Sequence, residues 1–393
     1  MHSTGGLLMP ASVDTFPTLD ADRHDLVGRL RLAAVPGLGS RLRRRLLERF
    51  GSPEAIFSAG SREIAAVEQM TRKAAASLQN DAGTAAAEKL LADCRRHQID
   101  VLLEDAPGFP RLLSQIDDPP DLLFVRGQLA PSDGLAVAIV GARHATGYGK
   151  RVAEQLAGGL ARAGCTVVSG LARGIDAAAH RGAIAAGGRT LAVLGSGLLE
   201  IYPPEHRDLA RDVINHGALI SESPPFAEPQ PGAFPRRNRI VSGLSLGTVV
   251  VQAAERSGAL ITARLAGEQG REVFAVPGPI DCRVSGGCHR LIRDGATLVA
   301  NVDEILEELG PLFEKVTDPA GREVRHPAEL QLDEIERQVL QAIDCTADGD
   351  TAADIDAVGV TAHLEPSRLL ATLAALEIRR LIRRIPGNRV ERL

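Results

Sequence analysis

Apolar positions change their rhythm along this chain, and each change marks a domain boundary. From residue 26 to about 103 they recur every three or four positions, with Gly and Pro between the runs and no strand-like alternation. That spacing predicts helices. From Leu135 the texture differs: Leu135-Ala-Val-Ala-Ile-Val140 is a continuous apolar run, of the kind buried on both faces of a parallel sheet. Short buried runs recur at 166–169, 190–194, 218–221, 247–251 and 272–276, separated by helical patterns at 150–163, 175–186, 204–216 and 259–269. A last helix and strand fall near 291–299. Strands alternating with helices of this length predict right-handed βαβ units in a doubly wound, mostly parallel, extended Rossmann-like sheet.

Outside this α/β block the chain reads as four further pieces. Residues 1–23 are polar and Gly/Pro-interrupted, a flexible tail, and 24–105 form an all-helical N-terminal domain. The α/β domain spans 106–309, its first part (107–133) a Pro- and Asp-rich connector with one short strand at 122–126. The charged, Pro/Gly-punctuated stretch 310–327 reads as a linker. In 328–393, helical segments are expected at 332–343, 352–358 and 366–378, ahead of a hairpin turning at Pro386-Gly-Asn388. Three helices and a terminal hairpin predict a winged-helix domain, with 366–378 in the recognition position.

Composition narrows the class. A chain of 393 residues exceeds one ordinary core. No apolar run approaches the ~18–20 residues that span a bilayer, and the start of the sequence lacks the charged-then-apolar order of a signal peptide, so no membrane association is expected. Five scattered cysteines without a C-x-x-C pair suit a reducing, cytoplasmic compartment and argue against structural zinc. The net charge of −5 does not advertise a nucleic-acid partner. Its distribution says more: seven Arg oppose only Glu48 between positions 28 and 50, and six oppose only Glu391 between 378 and 393. Whether the first of these runs touches a polyanion or solvates a helix face stays open.

Ligands of open α/β sheets bind beyond the carboxyl ends of the strands. Four glycine-rich loops fall there: Gly141-Ala-Arg143, Gly170-Leu-Ala-Arg-Gly-Ile-Asp176, Gly195-Ser-Gly197 and Ser257-Gly258. Together they allow backbone N–H groups and helix N-termini to approach an anion, with Arg143 and Arg173 adding charge. Gly149-Lys150 is not a Walker loop, because His144 stands where its first Gly belongs and Arg151 where Ser or Thr would hold magnesium. The Gly141/Gly147/Gly149 spacing does not fit a dinucleotide fingerprint either. Asp176 and His180 read as a helix-start carboxylate and its packing neighbour rather than an acid–base pair. Asp281, Cys282, Cys288 and His289 match no compact zinc pattern, so neither metal nor cofactor nor catalytic residue is expected. The stretch 223–237 carries five Pro and ends in Phe234-Pro-Arg-Arg-Asn-Arg239, read as a stiff loop whose Phe234, Arg236, Arg237, Asn238 and Arg239 suit phosphates and one stacked base.

These motifs resemble the DNA processing protein A (DprA, or Smf) family. The residues that carry the resemblance are Ile139-Val-Gly-Ala-Arg143, Ser169-Gly-Leu-Ala-Arg-Gly-Ile-Asp176 with His180, Phe234-Pro-x-Arg-Asn-Arg239, Ser257-Gly-Ala-Leu-Ile-Thr262, Gly270-Arg-Glu-Val-Phe-Ala-Val-Pro-Gly278 and Leu291-Ile-Arg-Asp-Gly-Ala296. Where many members carry Gly-Thr/Ser-Asn before Leu-Ile, this chain has Gly287-Cys-His289. The resemblance implies a SAM-like or helix-hairpin-helix-like N-terminal domain. It also implies single-stranded DNA held in a positive pocket by Gly141, Arg143, Ser169, Gly170 and Arg237-Asn-Arg239. A homodimer that loads a RecA-type recombinase in natural transformation, protecting incoming DNA, completes the implied role. Two other readings use the same residues. A related nucleotide-binding hydrolase would need Glu222, Glu255 or Asp176 as catalytic carboxylate; a duplex-binding regulator would act through the winged helix, whose candidate base readers are Ser367 and Arg368.

Overall fold

The computed structural model describes residues 20–79, 83–310, 316–317, 323–324, 332–346, 352–379 and 381–392. The tail expected over 1–23 lies almost entirely outside these residues, as does most of the linker expected over 310–327. The chain divides into two compact units, residues 1–103 and 104–393.

The first unit is helical, as the spacing predicts: α1 (Asp20–Ala34), α2 (Ser40–Phe50), α3 (Pro53–Ser58), α4 (Ser61–Ala65), α5 (Arg72–Gln79) and α6 (Gly83–Arg96). It closes with a short strand, β1 (Asp100–Leu103), within the stretch read as wholly helical. Four residues are too few for a period to distinguish strand from helix. Leu32, Val35, Leu38, Leu46, Ile56, Ile64, Val67 and Leu78 form the core. Much of the basic run serves this packing. Arg43 is buried and donates to the Leu38 carbonyl at 2.8 Å, Arg31 lies 3.5 Å from the Phe57 ring centroid, and Arg29 pairs with Asp25 at 2.8 Å.

The second unit is built on α7 (Arg111–Ser114), β2 (Leu122–Gly127), β3 (Ala136–Val140), α8 (Gly147–Arg162), β4 (Thr166–Ser169), α9 (Ile175–Ala185), β5 (Thr190–Val193), α10 (Arg207–His216), β6 (Gly217–Ser221), α11 (Ala233–Gly243), β7 (Gly247–Val250), α12 (Gly258–Glu268), β8 (Glu272–Ala275), α13 (Gly286–Arg293), β9 (Thr297–Leu298) and α14 (Val302–Leu309). Its strands run in the order β2-β6-β5-β4-β3-β7-β8-β9. All neighbours are parallel except β2 and β6, where Phe124 faces Ser221 across an antiparallel pair. The chain moves outward from β3 to β6 and then returns to the other side of β3 to lay down β7. The β3/β7 boundary is therefore the topological switch point, where loops leaving the two strands diverge and open a crevice. The strands read as unbroken apolar runs because both faces are covered: Val137, Ile139, Val167, Val249 and Phe274 have no exposed surface.

One sequence expectation changes here. The basic run 234–239 is not in a loop; it occupies the opening turns of α11. Pro235 misleads, because proline is tolerated in a helix's first turn, where its missing N–H has no partner to lose.

Residues 316–317 and 323–324 pair as two-residue strands β10 (Val316–Thr317) and β11 (Glu323–Val324). The C-terminal part contains α15 (Glu334–Thr346), β12 (Ala352–Asp354), α16 (Ile355–Thr361), α17 (Pro366–Ile378), β13 (Ile382–Ile385) and β14 (Arg389–Arg392). The sheet order β12-β14-β13 gives the expected winged helix. The helix expected at 352–358 is corrected: Ala352 and Ala353 pair with Glu391 and Val390 of the wing. Asp354 then caps α16, accepting from Asp356 and Ala357 N–H at 3.0 and 3.2 Å. Pairing across 37 or more residues overrides the helical preference of alanine.

Two substitutions test this core. Phe274→Ala removes a fully buried ring packed beside β7 and is expected to destabilise the unit by ~3–5 kcal/mol in urea unfolding. His180, also fully buried on α9, sets its Nδ1 2.7 Å from the Thr190 hydroxyl, which itself donates to the Val167 carbonyl at 2.8 Å. Burial pushes the imidazole down to about 3 from its ordinary 6.5, reinforced by Arg237. Between those values the unfolded chain binds a proton that the native state refuses. Stability from this group is therefore whole above 6.5 and is lost as pH falls toward 3. Wild type should lose up to about 1.4 kcal/mol per pH unit more than His180→Leu on acidification, measured by urea unfolding across a pH series.

Candidate nucleic-acid interface

At the switch point the loops after β3, β4 and β7 surround a cleft of about 1170 Å³. Its floor is glycine and small residues: Gly141 and Ala142 after β3, Gly170 and Ala172 after β4, and Gly258 and Ala259 at the start of α12. Ser257 caps α12, its hydroxyl accepting from Ala259 N–H at 3.3 Å, so that helix directs its N-terminal end at the cleft. Such ends carry partial positive charge and unsatisfied N–H groups, which favour an anion.

The loops hold their shape through contacts between segments far apart in the chain. Gln252 follows β7 and is buried; its backbone carbonyl accepts from Ala142 N–H at 2.6 Å. Its side-chain oxygen accepts from Thr146 N–H at 3.0 Å, and its amide nitrogen donates to the Thr146 hydroxyl at 2.9 Å. Thr146 in turn caps α8 through Gly149 N–H. Gly174 has φ +81 and faces the Ala142 and Arg143 carbonyls, leaving no room for a side chain.

Charge enters from Arg143 and α11. Arg143 is exposed, its guanidinium carbon 5.4 Å from the Phe234 ring centroid, within range of a cation–π interaction. Phe234 also meets Tyr202, with ring centroids 5.7 Å apart. Arg237 lies deeper, 7% exposed; its Nη1 donates to the Val193 carbonyl and its head fills the space a side chain at Gly170 would need. Burial lowers the Arg237 guanidinium to about 10, opposed by Asp176, and it remains charged at neutral pH. Asp176 is itself buried and accepts from Gly170 and Ala172 N–H at 3.2 and 3.4 Å. Burial raises its carboxyl, and Arg237, the two N–H groups and Arg143 pull the other way. One carboxylate thus shapes the β4 turn and compensates the buried cation.

Of the residues singled out in the sequence, the structure brings Gly141, Arg143, Gly170, Phe234, Arg237 and Asn238 around this cleft. Ser169, Arg173, Arg236 and Arg239 are not in its lining. Ser169 is fully buried and donates to the Ile139 carbonyl at 2.6 Å, a bond within the sheet. Arg173 points outward and pairs with Glu205 at 2.5 Å. Arg239 is buried between Glu222 at 3.1 Å and Asp118 at 3.4 Å, while Arg236 is exposed. The helical turn explains the split: successive residues are ~100° apart on a helix, so four polar neighbours cannot share one face. Gly195 and Gly197 are buried against Phe234 and the 224–225 prolines rather than open to the cleft. Cys288 bonds weakly to the Val250 carbonyl and His289 approaches the Gly278 carbonyl at 2.9 Å. Among the described residues, no cluster of three or more such side chains forms a metal site.

Sequence reasoning did not pick out Tyr202, Gln252 or Ile280 as site residues, and it gave Asp176 a structural role at a helix start or, in the hydrolase reading, that of a candidate carboxylate. Nothing local distinguishes a Gln whose partner, Thr146, is 106 positions away.

Comparison with known proteins gives the lineage. Residues 100–310 match the family model for DNA recombination-mediator protein A, and 323–388 match that for the DprA winged helix domain. Protein Smf of Synechocystis is 33% identical over 390 residues, covering 92% of this chain and 98% of its own. Among solved structures, DNA processing protein A from Streptococcus pneumoniae superposes with a TM-score of 0.63 at 33% identity, over 72% of this chain and 97% of that one. DNA processing protein A from Helicobacter pylori, described for its unique single-stranded DNA binding mode, gives a TM-score of 0.50 at 30% identity, over 55% and 98%. With its α/β unit and winged helix both matched, the chain belongs to the DNA recombination-mediator protein A (DprA/Smf) family.

Proposed function

We propose that this protein is a recombination mediator that holds single-stranded DNA in the switch-point cleft. The observation that carries the reading is the placement of Arg143: exposed, beside the Phe234 ring, above a glycine floor and the helix N-terminus at Ser257. A single strand offers both phosphates for the cations and an uncovered base for the ring. The H. pylori relative's single-stranded DNA binding mode supports the same ligand here.

The two other readings receive less support. For hydrolysis, Glu222 is committed to Arg239 and Asp176 to the β4 turn, so two of the three candidate carboxylates have structural roles. The third, Glu255, is exposed in the cleft lining, so the hydrolase reading rests on that one carboxylate. For duplex recognition, α17 presents Leu370 and Ile378, 49% and 71% exposed, among few polar side chains. Groove readout needs hydrogen-bonding groups at those positions.

We further propose that the protein acts as a cytoplasmic homodimer, protects incoming strands and passes them to a RecA-type recombinase in natural transformation. Support comes from family membership and, for the compartment, from five free cysteines, of which Cys94, Cys165 and Cys288 are buried. Among the described residues no helix is long and apolar enough to cross a membrane.

Fluorescence anisotropy with labelled oligo-dT tests the site. Wild type should bind the single strand in preference to its duplex. Arg143→Ala should weaken binding about tenfold and flatten the dependence on log salt by ~0.7, the loss of one phosphate contact. Arg239→Lys, away from the cleft lining, should leave that slope unchanged. Equal slopes for wild type and Arg143→Ala would remove the cleft from the account.

A further inference from the structure

Among the large hydrophobic side chains of the described residues, Ile280 is the most exposed, at 95%. It stands in the loop between β8 and α13, which borders the cleft and contributes Ile280, Asp281, Cys282, Arg283 and Val284 to its lining. Single exposed hydrophobics are common on protein surfaces and need no explanation by themselves. The setting of this one is different, for three reasons.

The loop is pinned. Cys282 N–H donates to the Pro279 carbonyl at 3.1 Å and Ser285 N–H to the Cys282 carbonyl at 2.9 Å, forming two successive tight turns. His289 Nε2 lies 2.9 Å from the Gly278 carbonyl, and the Tyr148 hydroxyl donates to the Pro277 carbonyl at 3.3 Å. Pro277 and Pro279 restrict the backbone further. A side chain held in water on such a loop has little freedom to fold back onto the protein.

The surroundings are those of a polyanion site. Arg143, Arg256 and Arg283 line the same cleft and are exposed, and they outnumber the two exposed carboxylates there, Glu255 and Asp281. An apolar group amid such cations is poorly placed for an apolar protein partner. It is well placed for a ligand that combines phosphates with flat apolar faces, and a nucleobase in a single strand is that ligand. In a duplex those faces are stacked on their neighbours and an aliphatic wedge enters only by unstacking a step, at an energetic cost that an already unstacked single strand does not incur.

The cleft's aromatic surface is limited. The chain has two Tyr and no Trp. Phe234 already packs against Tyr202 and Arg143. Tyr202 is the other ring in the lining, and Ile280 is a further apolar group there, far more exposed than Tyr202.

We infer that Ile280 is a base wedge, a specificity-determining residue that packs against a nucleobase of the strand held in the cleft and selects single strands over duplexes. This rests on the proposed single-strand function and adds a base contact to the phosphate contacts assigned above. The wedge recognises the face of a base rather than its edge, so it confers no preference among sequences.

The test measures anisotropy with two labelled strands of equal length, oligo-dT and the same backbone with abasic spacers, for wild type, Ile280→Ala, Ile280→Phe and Arg143→Ala. Ile280→Ala should weaken oligo-dT binding about three- to tenfold, leave abasic binding unchanged and keep the wild-type salt slope. Ile280→Phe should retain or tighten oligo-dT binding. Arg143→Ala should weaken both strands. Wild-type affinity for oligo-dT in Ile280→Ala, or an equal loss on both strands, would overturn the wedge while leaving the cleft assignment standing. If Arg143→Ala binds both strands as wild type does, the cleft assignment fails and the wedge with it.

Discussion

A guanidinium buried to the extent of Arg237 needs a counter-charge, because removing an ion from water costs several kcal/mol unless opposite charge or hydrogen bonds replace the lost solvation. Much of the cleft can be understood as the answer to that demand. Asp176 supplies the opposing charge from the first turn of α9 and binds the N–H groups of Gly170 and Ala172 with the same carboxylate. Glycine at 170 makes room for the arginine head. The position of Arg237 also fixes that of α11, so Phe234 is presented to Arg143 at the cleft mouth. Each buried group is held by backbone, Arg237 by the Val193 carbonyl and Asp176 by the Gly170 and Ala172 N–H groups, and their opposite charges offset one another through the interior.

The sheet supplies the second constraint. Because β7 is laid down on the far side of β3, the loops after these strands diverge, and a crevice opens without any dedicated excavation of the core. Gln252 holds the two diverging loops together through Ala142 and Thr146. The loop carrying Arg143 is therefore ordered in advance of any ligand, and preorganisation of this kind lowers the entropy lost on binding.

How much of this was legible in the sequence depends on the range of the interaction. The buried strands declared themselves, since 136–140 is apolar throughout and 247–250 carries only Thr248 as a polar residue, and both are buried along their length. The glycine loops and Arg143 could be placed at one sheet edge from strand order alone. What stayed hidden was the fate of individual arginines: residues 236–239 form one run in the sequence, yet Arg237 is buried on the Val193 carbonyl, Arg239 faces Glu222 and Asp118, and Arg236 faces solvent. Helical phase decides this, and the proline at 235 concealed the helix. Ala352 and Ala353 are a similar case, helical by local preference and extended because the wing pairs with them.

The central claim is that the ligand occupies the switch-point cleft of the α/β unit. Hydrogen–deuterium exchange with and without oligo-dT reads this directly along the backbone. Protection concentrated at 141–146, 170–176 and 257–262 is the predicted result. Protection confined to the winged helix, at 352–392, with those loops exchanging unchanged, would contradict it.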